Sequence, residues 1–209
     1  MGVRFTQDDL DVFRIPGFQE RMAAIKGKIR PKLVEFGEEA GPALMTQFKA
    51  EFFPHTAKHM RRKVNPPDET WVALGPQARG YKAYIFASLC VGKAGVQARV
   101  VMKDESEDRY LLGDNLLSNL NFFQKHEDSL SGLADYTKRD ARYQPSRISS
   151  LTPALEEIGK RLKSLKTAVF DVGLELKPTS KTLSQDFLKA VDKLYPFYLC
   201  GLHKGVKLK

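Results

Sequence analysis

AYIFASLCVGKAGVQARVVMK, residues 83–103, is the stretch of this chain that decides the fold. Residues 83–91 are rich in Tyr, Ile, Phe and Val, which favour strands. Residues 96–103 alternate strictly, with Val96, Ala98, Val100 and Met102 on one face and Gln97, Arg99 and Lys103 on the other. Two glycines lie between the two runs. The stretch therefore predicts a hairpin with a glycine-containing turn.

Further strands are predicted on both sides of this hairpin. Residues 70–74 precede it, and residues 134–137 form a short candidate strand after it. Residues 168–176 alternate again, with Asp171 and Glu175 predicted to point outward and Phe170, Val172, Leu174 and Leu176 inward. Consecutive strands joined by short turns indicate an antiparallel sheet.

The rest of the chain has the spacing of amphipathic helices. Thr6, with Asp9 three residues later, predicts a capped first helix. A longer helix is predicted from the apolar series Phe18, Met22, Ile25, Ile29, Leu33 and Phe36. Pro31 predicts a kink or a break near Arg30, and a further helical pattern follows Pro42. Later helices are predicted over residues 112–123, from Thr152-Pro153 onward, and from a cap at Ser184.

These elements predict an α+β fold: a single domain with a largely antiparallel sheet packed against several helices. The predicted domain covers residues 1–203, and residues 204–209 are predicted to be a basic flexible tail. Neither GxGxxG nor GxxxxGK[ST] occurs, so the sequence gives no basis for a Rossmann or P-loop site.

Composition indicates the cellular compartment and the kind of partner. The 209 residues include 34 Lys and Arg against 25 Asp and Glu, a formal net charge of +9, which favours an anionic small molecule or nucleic acid as partner. The longest apolar run, residues 84–91, is far shorter than the roughly 20 residues of a membrane span. Two distant cysteines and an acidic N-terminal region predict a reduced, cytoplasmic protein with no disulfide and no membrane partner.

The densest cluster of chemistry-bearing residues is PHTAKHMRRKVNPPDETWVALGPQARGYK, residues 54–82. It contains two His, six Lys and Arg, and the only Trp of the chain. Residues 54–64 are predicted to be a helix, with Pro54 in its first turn. Spacing i, i+3, i+4, i+7 would then place on one face His55, Lys58, His59 and Arg62.

This segment resembles the YktB-like family of bacterial proteins, domain of unknown function 1054. The resemblance rests on FPH-x-AKH-x-RR-x-VNPP at residues 53–67, on Trp-Val-Ala at 71–73 and on RGYK at 79–82. F-T-x-x-D at residues 5–9 and the helix at 21–33 are similar too. The resemblance implies a single α+β domain with helices on an antiparallel sheet, and it implies no activity.

A ligand-binding site is predicted in this segment because Arg forks bind phosphate and carboxylate groups bidentately, and Gly80 would let the backbone approach a ligand. The predicted ligand-binding residues are His55, Lys58, His59, Arg61, Arg62, Asn65, Arg79, Gly80, Tyr81 and Lys82. The competing interpretation is a solvated basic surface partly paired with acidic residues 104–108. Trp71 and Cys90 are expected in the core.

No metal site and no cofactor are predicted. His55 and His59 have the i, i+4 spacing of a metal pair, but HTAKH lacks the Glu of HExxH. On a shared helix face, Lys58 and Arg62 would also repel a divalent cation.

Three functions follow from these residues, and whether the protein is an enzyme stays open. The first is a binding protein for an anionic, phosphate-bearing ligand at a cleft lined by His, Arg and Lys. The second is a hydrolase or transferase acting on a phosphate ester, with His55 or His59 as general acid or base. The third is a structural or regulatory interaction protein without a ligand.

Overall fold

The computed structural model describes residues 2–60 and 62–209. The α-helices are α1 Gln7–Asp11, α2 Phe18–Ala24, α3 Arg30–Phe48, α4 Arg109–Ser118, α5 Leu120–Lys125, α6 Leu151–Ser164 and α7 Leu183–Cys200. The strands are β1 Phe53–Thr56, β2 Glu69–Gly75, β3 Ile85–Gly92, β4 Gly95–Met102, β5 Ala134–Arg139, β6 Pro145–Arg147 and β7 Phe170–Leu176. A π-helical segment, Ile25–Ile29, joins α2 to α3.

Across these described residues the strands form one seven-stranded sheet in the order β1-β2-β3-β4-β7-β5-β6. Every neighbouring pair is antiparallel. The predicted hairpin is its centre, with β3 and β4 paired from Ile85 opposite Met102 to Gly92 opposite Gly95. The predicted α+β fold, a largely antiparallel sheet packed against several helices, is confirmed.

One face of the sheet, the helix face, carries the main apolar core. The inward series predicted for β4 is fully buried there beside Val72, Leu74 and Leu89. Helices α3 and α7 pack directly on the sheet, while α4 and α6 pack against each other and α4 also meets α7. The period-2 pattern therefore identified the core-facing side of β4.

No break occurs near Arg30, and the helical pattern predicted after Pro42 belongs to the same helix, α3. The chain stays helical from α2 through the π-helical segment into α3. Pro31 stands in the first turn of α3, directly after the π-helical segment, and Pro42 is accommodated inside α3. Near the middle of α3, a Cβ on Gly37 would lie only 2.8 Å from Val72 Cγ2, so a glycine lets this helix lie close to β2.

The second face of the sheet is also buried in part, which contradicts the outward position predicted for Asp171. Arg99 is 1% exposed and Asp171 is 6% exposed. They are covered because β5 pairs with β7 only at Ala134 and Asp135 and then leaves the plane of the sheet. The β5–β6 hairpin crosses this face, and Tyr136 lies 3.9 Å from the Arg99 guanidinium carbon.

Under this hairpin lies a buried ion cluster formed by Glu69, Arg99, Arg139 and Asp171. Arg99 donates to Glu69 at 2.7 Å and to Asp171 at 3.4 Å, and Arg139 donates to Glu69 at 3.0 Å. Burial alone would raise the pKa of Glu69, but the charges of Arg99 and Arg139 hold it below its usual value. Burial raises the pKa of Asp171, and the attraction of Arg99 offsets only part of that rise.

The last residues of the chain are attached to α4. The side-chain amide of Asn119 donates to the carbonyl oxygen of Val206 at 2.8 Å, and its oxygen accepts from the backbone N–H of Leu208 at 2.9 Å. Leu208 also packs against the main core. The division into a domain and a flexible tail at residue 204 stays a prediction, but these contacts identify what would hold the tail. Over the described ranges, no helix has both the length and the apolar character needed to cross a membrane.

The buried ion cluster leads to a stability prediction. Replacing Arg99 with Met removes the hydrogen bonds that Glu69 and Asp171 accept from it and leaves Arg139 as the one cation of the cluster. We expect the free energy of unfolding in urea to fall by about 3–5 kcal/mol, the usual cost of removing one partner from a buried ion pair.

The control is Lys138→Ala, which removes an ion pair with Glu157 whose side chains are 48% and 57% exposed. This change should stay within about 0.5 kcal/mol. If Arg99→Met costs no more than Lys138→Ala, the cluster does not hold the covering hairpin in place.

Candidate functional site

The part of the second face that the β5–β6 hairpin leaves open forms a cleft of about 950 Å³, called here the basic cleft. Its floor is the end of the sheet nearest β1, and its wall is the irregular segment that follows β1. It is lined by Pro54, His55, Thr56, Ala57, Lys58, His59, Met60, Arg62, Trp71, Tyr81, Lys82, Lys103, Asp104 and Glu105.

Six of the predicted ligand-binding residues line this cleft: His55, Lys58, His59, Arg62, Tyr81 and Lys82. Three others do not line it, namely Asn65, Arg79 and Gly80. Arg61 lies outside the described residues. Gly80 instead has a left-handed backbone, with φ 67°, and precedes the short 3-10 turn that carries Tyr81 and Lys82.

The helix predicted over residues 54–64 is wrong. Residues 53–56 are the edge strand β1, with His55 opposite Ala73 of β2, and the backbone N–H of Ala57 extends the pairing by donating to the Trp71 carbonyl oxygen at 2.9 Å. Pairing with β2 satisfies backbone groups that a short helix would leave unpaired at both ends. The side chains still converge, because β1 and the segment after it run along the cleft.

His55 is half-buried at the edge of the cleft. Its ring stacks on Tyr81, with centroids 5.1 Å apart and planes 21° apart. Its Nε2 lies 2.9 Å from the carbonyl oxygen of Gln77. Since a carbonyl can only accept, Nε2 carries the proton in the neutral ring, and Nδ1 is the acceptor.

His59 is held in a left-handed conformation, with φ 52°. Its Nε2 lies 3.0 Å from Thr70 Oγ1, and its ring meets Trp71 edge-on with centroids 5.4 Å apart. Burial, followed by the charges of Arg62 and Arg30, lowers the pKa of His59 to about 4. At neutral pH this imidazole is therefore uncharged.

The floor of the cleft is aromatic. Trp71 and Tyr81 pack against a small buried cluster of Ala73, Phe86 and Val101 on the second face. The Trp71 indole N–H donates to the Tyr81 hydroxyl at 3.3 Å. Trp71, expected in the core, is half-buried and lines the cleft instead.

Sequence reasoning missed two basic residues of this site. Lys103 follows β4, and its ammonium lies 5.2 Å from the centroid of the Trp71 ring. Arg30, at the start of α3, lies behind the cleft wall and donates to the carbonyl oxygens of Ala57 and Lys58 at 3.4 and 3.3 Å. Alternation along β4 did place Lys103 on the second face, but neither contact could be read from residues so distant in sequence.

The cleft lining contains fewer acidic than basic residues. Lys82 pairs with Glu105 at 3.2 Å on the wall opposite β1. No group of three or more His, Cys, Asp or Glu side chains is placed to hold a metal ion anywhere in residues 2–60 and 62–209. Cys90 is buried outside the cleft, and burial raises the pKa of its thiol to about 11, which argues against a thiolate nucleophile.

Comparison with known proteins places the chain in a family. The family described as "Domain of unknown function (DUF1054)" matches residues 5–198. A UPF0637 protein of Bacillus mycoides is 33% identical over 207 residues, covering 94% of this chain and 97% of its own length. A UPF0637 protein of Lysinibacillus sphaericus is 28% identical over 211 residues, covering 98% and 99%. The chain belongs to the DUF1054 family.

Arg30 provides a test of how the cleft wall is held. In Arg30→Ala both hydrogen bonds to the wall carbonyls are lost. The free energy of local opening of the wall should then fall by about 1.5 kcal/mol. This is the lower value for hydrogen bonds to a charged donor, and it applies because both bonds are long. Hydrogen exchange at the Ala57 amide should then be about tenfold faster. The control is Lys28→Ala, an exposed residue on the neighbouring π-helical segment, and equal exchange in the two variants would contradict the role of Arg30.

His59 provides a test by pH. The folded chain keeps its imidazole neutral down to about pH 4, whereas an unfolded chain takes up the proton near pH 6.5, so stability should fall as pH drops through this range. Burial lowers this pKa most, the charges of Arg62, Arg30 and Lys82 lower it further, and the charge of Glu69 raises it. His59→Asn keeps a residue that tolerates the left-handed backbone and removes the titration.

We therefore expect the unfolding free energy of the wild-type protein to fall more steeply than that of His59→Asn between pH 6.5 and 4, with a constant difference above pH 7. Urea unfolding at intervals of pH measures both curves. Parallel curves throughout would show that His59 titrates normally.

Proposed function

We propose that this member of the DUF1054 family binds an anionic, phosphate-bearing ligand in the basic cleft. The observation that carries the proposal is that three of the cations lining the cleft have no carboxylate partner among the described residues. Lys58, Arg62 and Lys103 form no ion pair with any carboxylate of the described residues, although they line one cleft. Within residues 2–60 and 62–209, the Arg62 guanidinium donates only to the carbonyl oxygen of Asn65, at 3.3 Å.

Of the three arginines that are buried in the described residues, two pair with carboxylates and the third, Arg109, does not. Arg21 pairs with Asp68 at 3.1 Å, and Arg99 pairs with Glu69 at 2.7 Å. Cations gathered without such partners repel one another, and a bound phosphate would offset that repulsion through charge-assisted hydrogen bonds. The cleft volume of about 950 Å³ is within the range of small-molecule sites.

The neutral state of His59 fits a binding role. A neutral imidazole adds no further charge to the cluster and keeps both a donor and an acceptor, while the surrounding cations supply the attraction. Together with Arg30, which holds the wall from behind, His59 fixes the backbone from which Lys58 and Arg62 project.

Catalysis on a phosphate ester is the weaker alternative. A general base works best with a pKa near the working pH, and the pKa of His59 is about 4. His55 points its Nε2 at a backbone carbonyl, which engages that proton rather than presenting it to a ligand. The cytoplasmic location predicted from the sequence stays a prediction.

The proposal predicts that Arg62 matters more than charge outside the cleft. Arg62→Ala should weaken binding of pyrophosphate by about 1.5–3 kcal/mol, the range for hydrogen bonds to charged groups. The control is the double substitution Lys207→Ala and Lys209→Ala, which removes two exposed charges and should weaken binding only at low salt. Isothermal titration calorimetry at low and physiological ionic strength compares them.

Two results would contradict the proposal. Equal losses in both variants that vanish together at physiological salt would indicate nonspecific attraction to a basic protein. Absence of any pyrophosphate or phosphate-ester binding would favour an interaction protein without a ligand.

A further inference from the structure

The basic cleft combines two surfaces that a bare phosphate ion would not use together. Cationic groups at its wall, Lys58 and Arg62, are exposed. Its floor is formed by the half-buried rings of Trp71 and Tyr81, with Phe86 packed edge-on beneath Tyr81 at 5.1 Å. A ligand that contacts both surfaces needs an anionic group and a flat apolar group on one small frame.

The Trp71 ring is covered on the cleft side by a side chain that could move aside. The Lys103 ammonium lies over it at 5.2 Å, and both residues line the cleft. Lysine is long and flexible, and no carboxylate of the described residues pairs with Lys103. An arriving anion would attract this ammonium, and a planar group could take its place on the ring at the loss of one cation–π contact.

The cleft favours a small ligand over a nucleic-acid strand. Asp104 and Glu105 lie on the wall opposite β1, where Glu105 pairs with Lys82. The Asp104 carboxylate would repel an extended phosphate backbone that continued past that end. Strand-binding proteins also present successive aromatic platforms along a basic groove. Here the aromatic surface is a single patch around Trp71 and Tyr81.

From this juxtaposition we infer that the ligand is a nucleoside phosphate, with its phosphate at Lys58 and Arg62 and its base on the Trp71 ring. The inference rests on the proposed function and adds the chemical class of the ligand. The base would contribute by stacking and the phosphate by charge, so the two contributions can be measured separately.

The test on the unmodified protein is a calorimetric titration with adenosine monophosphate, guanosine monophosphate, ribose 5-phosphate and adenosine at physiological salt. Base stacking should make at least one nucleotide bind about tenfold or more tighter than ribose 5-phosphate. Binding of that nucleotide should also quench the fluorescence of Trp71, the single tryptophan of the chain. Adenosine should bind more weakly than its monophosphate, because it lacks the charged group.

Two variants locate the effect. Trp71→Ala should abolish the preference for the nucleotide and leave the affinity for ribose 5-phosphate within about twofold. The matched control is Tyr110→Ala, which removes an aromatic residue that is 41% exposed and does not line the cleft. If Trp71→Ala fails to fold, the ligand series on the unmodified protein still decides.

The outcomes separate this inference from the proposed function. If ribose 5-phosphate and both nucleotides bind equally and all depend on Arg62, the inference is overturned while the proposed function stands. If none of the phosphate compounds binds, both fail. If a single-stranded oligonucleotide binds more than about tenfold tighter than any mononucleotide, with a steep salt dependence, the ligand is nucleic acid and the inference is also overturned.

Discussion

The guanidinium of Arg99 is the contact on which the second face of the sheet depends. It reaches Glu69 on β2 and Asp171 on β7 from its own position on β4, and it stacks on Tyr136 of the covering hairpin. A cation removed from water must be paired with an opposite charge. Here the carboxylates come from β2 and β7, and the covering hairpin adds an aromatic ring. These three contacts can be made together only if the hairpin folds across the second face of the sheet. The shape of the second face is therefore set by an ionic interaction, whereas the helix face is set by apolar packing.

The basic cleft is the part of that face which the hairpin does not reach. Arg139 crosses from β5 to Glu69 on β2, and this contact marks the limit of the cover. Beyond it, Trp71 and Lys103 stay accessible from the cleft. On the other side, Arg30 holds the segment after β1 by its carbonyl oxygens. The cleft is thus bounded by two arginines that do not line it, and among the described residues Lys58, Arg62 and Lys103 line it without an ion pair to a carboxylate.

Much of the fold could be predicted from the sequence because local periodicity reports which face of an element is apolar. The β3–β4 hairpin, the inward residues of β7 and the capped start of α1 all follow from residues adjacent in the chain. Periodicity does not report what covers a face, so the burial of Asp171 could not be predicted. It also failed for residues 54–64, where the charged groups have helical spacing but the first residues of the run belong to β1 and pair with β2. The candidate site was predicted in part because its residues cluster in sequence, whereas Lys103 joins it only through strand pairing.

The two edges of the sheet share a feature with a consequence for self-association. The edge strands β1 and β6 are only four and three residues long, and each contains a proline, Pro54 and Pro145. An exposed edge is a template on which another chain can add a strand, but proline has no N–H to donate and a short strand offers few pairing sites. A central sheet this rich in Val, Leu and Ile would otherwise be prone to edge-to-edge aggregation. The short, proline-containing strands therefore disfavour such pairing at both edges of the sheet.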